Sequence, residues 1–323
     1  MDGKIVLEEH FALPATIDDS ERYFSKDAWP RMRHTLVDIH EHRLALMDAC
    51  GIERMLLSLN APGIQAVWDT RRAIEVARQA NDFVAEQVAR NPTRFQALAA
   101  LPMQDPDAAA AELTRTVREL GFRGALVNGF SQADVEDSAL YYDLPQYAPF
   151  WATVAALGVP FYLHPRDPLP SRAHGYEGHP WLLGSTWAFT AETALHALRL
   201  MASGLFDRHP SLQIVLGHLG ETLPANIWRS SRRLAKTPRG IPARRTLAEY
   251  LRANFHLTTS GNFRTPTLLG ALAEVGADRI LFSADYPFED MREAAEWFDR
   301  AELSEADRLK IGRTNALRLF NLE

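Results

Sequence analysis

Glu8 and His10, two residues apart, close the first apolar run of the chain, Gly3-Lys4-Ile5-Val6-Leu7-Glu8-Glu9-His10. A run of that kind reads as a strand. Its alternate side chains share a face, so Val6, Glu8 and His10 are expected on one side and Ile5, Leu7 and Glu9 on the other. A carboxylate beside an imidazole at the end of an opening strand is half of a divalent-metal site. Candidates for the other half end later apolar runs: His164 after 159–163, His218 after 212–217 and Asp285 after 279–284. Bringing so many ionisable groups together in a buried place without a cation costs roughly several kcal/mol each, so a bound metal accounts for them best. One or two carboxylates with two imidazoles suit Zn²⁺ or Mn²⁺ better than the oxygen-preferring Mg²⁺ or Ca²⁺, and leave an open position for water or substrate. In Gly217-His218-Leu219-Gly220-Glu221, a Glu221 at the start of the next helix can orient the imidazole and raise its basicity, as acid–base work near neutral pH requires. Equally, Glu221 can serve only the electrostatics of that helix's first turn.

Positioning such groups at one rim requires strands that all end on the same side. The chain supplies them by alternation. Strand-like runs at 3–10, 52–59, 94–101, 124–127, 159–163, 212–217, 255–259 and 279–284 are each followed by helical periodicity, at 36–51, 71–90, 105–121, 145–157, 189–201, 221–234, 265–275 and from 288 to the end, with an extra helix at 247–253. Gly51 and Gly121 read as helix stops, and Asp105-Pro106-Asp107 as an acidic cap with Pro in the first turn. Eight such units without a break predict one (β/α)₈ TIM barrel over residues 1–323, with chemistry at the C-terminal strand ends. An open doubly wound sheet is the rival, but no G-x-G-x-x-G follows the first strand and no Walker loop occurs. The long segments 11–33 and 167–187, after the first and fifth strands, read as active-site loops. Tyr23, Asn128, Phe189, Arg229 and Phe288 are candidates for contact with substrate, the aromatic ones as walls for a flat ring.

Other histidines read as structural. His40 and His42 fall on one predicted helix, where residues two apart diverge; His196 sits mid-helix, His209 in a turn and His256 at the wrong end of a strand. Cys50, the single cysteine, reads as a small buried hydrophobe, and no intrachain disulfide or thiolate zinc cluster can form. With 46% hydrophobic residues the chain can bury a large core. A net charge of −6 and a pI near 6.0 give no footprint for nucleic acid, and no apolar run approaches the roughly 18 residues of a membrane helix. The N-terminus enters a strand without a signal-peptide pattern, which predicts a cytoplasmic address.

Taken together, Leu7-Glu8-Glu9-His10-Phe11, Phe161-Tyr162-Leu163-His164-Pro165-Arg166, Gly217-His218-Leu219-Gly220-Glu221 and 282–289 resemble the metal-dependent decarboxylase branch of the amidohydrolase superfamily. Blocks 125–132 and 258–264 extend the similarity over essentially the whole chain. The resemblance implies reversible, non-oxidative loss of CO₂ from an ortho-hydroxybenzoate with one divalent metal and no organic cofactor. It assigns Glu8, His10, His164 and Asp285 as metal ligands, His218 with Glu221 as the catalytic pair, and a homotetramer or dimer as the assembly. Glu8-x-His10, in place of the His-x-His of the hydrolases, argues for the decarboxylase branch. His10 and Asn128-Gly129-Phe130 favour 2,6-dihydroxybenzoate as substrate, while Ala284-Asp285-Tyr286-Pro287 looks more like relatives that act on 2,3-dihydroxybenzoate; salicylate is a further alternative. A lactone or amide hydrolase on the same barrel, a decarboxylase of a non-aromatic acid and a barrel kept only for binding are the rivals from other classes.

Overall fold

A computed structural model describes residues 1–322. Its strands are β1 (Lys4–Phe11), β2 (Ile52–Leu59), β3 (Phe95–Ala97), β4 (Ala125–Asn128), β5 (Ser131–Ala133), β6 (Val135–Leu140), β7 (Phe161–His164), β8 (Ile214–Leu216), β9 (Phe255–Thr258) and β10 (Ile280–Leu281). β1-β2-β3 form one parallel set and β4-β7-β8-β9-β10 another, joined by a parallel bridge between Ala99 and Ala125. The ring closes between its first and last strands through the Ser283 side chain and one backbone hydrogen bond. Ser283 Oγ accepts from the backbone N–H groups of Leu7 and Glu8, and His10 N–H donates to the Tyr286 carbonyl. The TIM barrel predicted from the alternation is the fold observed.

Two apolar layers hold it. Ile5, Leu7, Leu56, Leu98, Leu126, Tyr162, Val215 and Leu281 fill the inside, and the C-terminal Ala316, Phe320 and Leu322 pack against them. The second layer lies between strands and helices and includes Val6, Met55, Leu57 and Phe11. In β1 the pairing register to β2 shifts between Val6 and Glu9. Such a bulge puts two successive side chains on one face. Leu7 therefore packs inside and Glu8 points inside as well, which corrects the simple alternation: Val6 belongs to the outer layer and does not share a face with Glu8.

Other expectations need correction. Of the barrel strands after the second, β3, β7, β8, β9 and β10 are shorter than their apolar runs, with two to four laddered residues each, and β4 keeps its length but is shifted by one residue. Residues 11–33 are not irregular throughout: a 3₁₀ segment (Ile17–Tyr23) and a helix (Trp29–Val37) with Pro in its first turn form a small cluster of Ala12, Ile17, Trp29 and Leu36, with Phe24 and Phe288 against it. The helix drawn over 36–51 is broken; its second part is His42–Ala49, and His40 lies between the parts, held by Gln87 and Asn91. The helix expected at 71–90 is Thr70–Arg90, with Ala77 and Val84 buried and Ile74 exposed. An antiparallel hairpin of β5 and β6, not anticipated, follows β4.

Two structural histidines set an acid limit. Burial, reinforced by Arg199, pushes His196 down to about 3; burial, reinforced by Arg279 and Arg318, does the same to His256. His196 Nε2 accepts the Tyr142 N–H at 3.1 Å and so needs its neutral form. A depressed folded-state pKa means that the unfolded chain takes up the proton first, so stability is retained above about pH 6.5 and lost as pH falls towards 3. The slope is about 1.4 kcal/mol per pH unit for each histidine. Urea unfolding of wild type and His196→Gln at pH 7, 6 and 5 is expected to show the variant losing less on acidification; parallel losses would refute the assignment.

Candidate active site

The sequence-predicted ligands converge where the strands end. Glu8 and His10 come from β1, His164 is the last residue of β7, and Asp285 follows β10 with φ at +74°. One ligand atom from each of these four lies within 4.8 Å of all the others. His10 Nε2 is 3.2 Å from Asp285 Oδ1, and His164 Nε2 is 3.3 Å from Glu8 Oε1. Glu8 Oε1, His10 Nε2 and Asp285 Oδ1 are buried and have no hydrogen-bond partner. Such atoms are costly unless something positive sits among them. The mixed nitrogen and oxygen donors, aimed at one point, make a divalent-metal site.

Each ligand is aimed by its neighbours. Tyr162 and Ser260 donate hydroxyl hydrogen bonds to Glu8 Oε2, as does Thr258 at 3.0 Å, so this oxygen is occupied and Oε1 is left free. Burial alone would raise the Glu8 carboxyl, but the charges of His218 and His164 hold it well below the usual carboxylate range. Gly217 is required beside it, since a Cβ there would lie 2.9 Å from Glu8 Oε1. Ser58 Oγ stands 3.2 Å from His10 Nδ1; with the proton on that side, Nε2 keeps its lone pair. Burial pulls His164 below its ordinary pKa, against the pull of Glu8, and favours the neutral imidazole a ligand must be.

His218 and Glu221 pair as expected, with Nδ1 2.6 Å from Glu221 Oε1, but Glu221 does not begin the helix. Residues His218, Leu219, Gly220, Glu221 and Thr222 all have positive φ, and the helix starts only at Leu223. Four of the five are L residues in a region they seldom occupy, which is strain the surroundings must hold. Ser260 Oγ accepts the His218 N–H at 3.2 Å, and Thr190 Oγ1 donates to Glu221 Oε2 at 2.9 Å. The turn directs His218 Nε2 to 3.5 Å from Asp285 Oδ2 and 3.8 Å from Glu8 Oε1. Burial opposes protonation of this imidazole, but Glu221 and Glu8 overcome it and raise its pKa well above the ordinary value.

Above these groups lies a cavity of about 140 Å³, lined by Tyr23, Phe24, Phe189 and Phe288 with His164, His218, Asp285 and Glu289. It is close in size to the roughly 150 Å³ space that takes a benzene ring. Tyr23 and Phe189 meet edge to face with centroids 5.4 Å apart, and Phe288 lies 5.4 Å from the His10 ring. Asn128 and Arg229 do not line this cavity. Asn128 is buried, with its N–H donating to Gln65 Oε1, and Arg229 is exposed on the helix Leu223–Lys236. A larger cleft of about 620 Å³ opens at the other end of the strands, among Pro160, Gln213, His256 and Arg279, away from Glu8, His10, His164, His218 and Asp285.

The model of the amidohydrolase family (Amidohydro_2) matches residues 10–322. The chain belongs to this family. Among curated amidohydrolase relatives, the γ-resorcylate decarboxylase of Rhizobium sp. (strain MTP-10005) is 61% identical, covering 100% of this chain and 99% of its own length. A solved 2,6-dihydroxybenzoate decarboxylase in complex with 2,6-dihydroxybenzoate superposes with a TM-score of 0.98 at 60% identity, covering 99% of this chain and all of that one. The dihydroxybenzoic acid decarboxylase of Polaromonas sp. JS666, solved with manganese and the inhibitor 2-nitroresorcinol, gives 0.98 and 60% over 100% of this chain and 98% of that one.

The sequence reading missed the groups that aim the ligands: Tyr162, Thr258, Ser260 and Ser58. The hydroxyl run Thr258-Thr259-Ser260 at a strand end was a usable signal, since hydroxyls at such a rim need partners. Nothing local marks Ser58.

Proposed function

We propose that the protein catalyses the non-oxidative, reversible decarboxylation of 2,6-dihydroxybenzoate to resorcinol and CO₂. The observation that carries the reading is the convergence of unpartnered Glu8, His10 and Asp285 atoms with His164 beneath a cavity sized for one aromatic ring. The relatives at 60–61% identity support this ring pattern over 2,3-dihydroxybenzoate and salicylate. Glu8, His10, His164 and Asp285 are the ligands in this proposal, and the manganese of the Polaromonas structure supports Mn²⁺, with Zn²⁺ compatible with the same donors.

A divalent ion held there would supply Lewis-acid stabilisation for negative charge on the substrate's oxygens. The chain's own residues do the rest. Tyr23, Phe189 and Phe288 confine the ring. Loss of CO₂ directly from the ring would leave an in-plane aryl carbanion that the π-system cannot stabilise, so the carboxylate-bearing carbon is protonated first. Asp285 donates that proton while the ionised ortho oxygen releases an electron pair into the ring and becomes a ketone, and cleavage of the C–C bond then rearomatises the ring and returns that pair to the oxygen. His218, 3.5 Å from Asp285 Oδ2 and steadied by Glu221, restores the proton.

We also propose that the whole chain acts as one barrel unit, that it assembles as a homotetramer or dimer, and that it is cytoplasmic. The family match over 10–322 supports the first. Among the described residues no helix is long and apolar enough to cross a membrane. Protein loaded with Mn²⁺ and given 2,6-dihydroxybenzoate is expected to release CO₂ and lose substrate ultraviolet absorbance, far faster than with 2,3-dihydroxybenzoate or salicylate, and to stop when the metal is chelated. Absence of CO₂ from the loaded enzyme would overturn the proposal.

A further inference from the structure

Glu9 is fully buried, lies outside the cavity wall, and yet its carboxylate straddles Asp285. Oε1 accepts the Ser283 hydroxyl at 2.7 Å and the Ala284 N–H at 2.9 Å; Oε2 accepts the Tyr286 N–H at 3.0 Å. The laddered part of β10 ends at Leu281, so Ala284 and Tyr286 have no strand neighbour to take their N–H groups. The Glu9 side chain stands where that neighbour's carbonyls would be. Between its two contacts sits Asp285 at φ +74°, a conformation an L residue keeps only when its surroundings impose it. A second buried residue braces the same segment: Arg43 Nη2 donates to the His10 carbonyl at 2.6 Å, and its guanidinium lies 4.9 Å over the Tyr286 ring.

We propose that Glu9 is a positioning residue, a carboxylate clamp on the N–H groups of the residues before and after Asp285 that turns the Asp285 side chain towards His10 and His218. This rests on the decarboxylase reading of the site. It acts through Asp285 and touches neither substrate nor metal. Gln at this position keeps the size but not the function. Whichever way its amide faces, one N–H group meets a backbone N–H where an acceptor stood.

The test reads Mn²⁺ affinity, from the electron paramagnetic resonance signal of free Mn²⁺, beside kcat and KM for 2,6-dihydroxybenzoate and the thermal midpoint of metal-free protein. Glu9→Gln is expected to weaken Mn²⁺ binding by about 10- to 100-fold and to lower kcat at saturating Mn²⁺ by a similar factor, with the midpoint falling by only a few degrees. KM is expected to move by less than about threefold. Glu9→Asp, which keeps two acceptor oxygens, is expected to recover part of both losses, and where Glu9→Gln does not fold it carries the comparison with wild type alone. Mn²⁺ affinity and kcat within about twofold of wild type in the variant measured, or a Glu9→Asp enzyme no better than Glu9→Gln, would overturn the proposal. Wild type that binds Mn²⁺ and releases no CO₂ would sink the decarboxylase reading instead, leaving the affinity contrast to judge Glu9.

Discussion

Asp285→Asn is expected to lower turnover of 2,6-dihydroxybenzoate by at least about 10³-fold, and added Mn²⁺ will not restore it. The substitution changes two things that can be separated. As a ligand, Asn keeps a carbonyl oxygen where Asp285 Oδ1 now faces His10 Nε2 at 3.2 Å, but loses the negative charge, so the site binds a cation less tightly and still fills at high concentration. As a proton carrier, Asn offers nothing. Its amide nitrogen, where Oδ2 now lies 3.5 Å from His218 Nε2, cannot take a proton from that imidazole or give one to a ring carbon. Metal content measured after equilibration with excess Mn²⁺, beside kcat, distinguishes the roles. Full occupancy with no turnover assigns the proton to Asp285; recovery of turnover in step with occupancy would reduce it to a ligand and send the search for the acid elsewhere.

The parts of this site that could be read in the sequence are those where residue type and position coincide. A carboxylate or imidazole ending an apolar run has few structural uses, so Glu8, His10, His164, His218 and Asp285 announced themselves, and the regular alternation around them announced the barrel. What stayed hidden depends on backbone geometry that side-chain pattern does not encode. The β1 bulge is one case: Leu7 and Glu8 both face inward, though alternation forbids it. The left-handed turn 218–222 is another, since His, Leu, Glu and Thr carry no preference for positive φ and are held there by contacts that include Ser260, Thr190, the His218–Glu221 pair and the Gly220 N–H to Gly217 carbonyl bond. Long-range partners form a third group. Tyr162 reaches Glu8 across 154 positions of chain and Ser283 reaches Glu9 across 274, separations over which local periodicity is silent. The groups that converge at the strand ends were thus legible, and the contacts that orient them were not.

Replacing His218 by Asn is expected to separate proton delivery from metal binding most cleanly. His218 is near the ligands, 3.8 Å from Glu8 Oε1 and 3.5 Å from Asp285 Oδ2, which on distance alone would admit it as a fifth ligand. Its electrostatics argue otherwise. Glu221, 2.6 Å from Nδ1, and Glu8 raise the imidazole's pKa well above its ordinary value and so favour the imidazolium, which has no lone pair to give a metal. A positive group so close to the cation opposes its binding, so removing it should leave Mn²⁺ affinity equal to wild type or tighter. Turnover is expected to fall by about 10²- to 10⁴-fold, because Asp285 then has no adjacent donor from which to recover a proton after each cycle. Full metal content with collapsed kcat supports the pairing of His218 with Glu221 as a proton source. Metal loss in the variant would mean that His218 is neutral in the loaded enzyme and belongs among the ligands, and the division of labour between Asp285 and His218 would have to be redrawn.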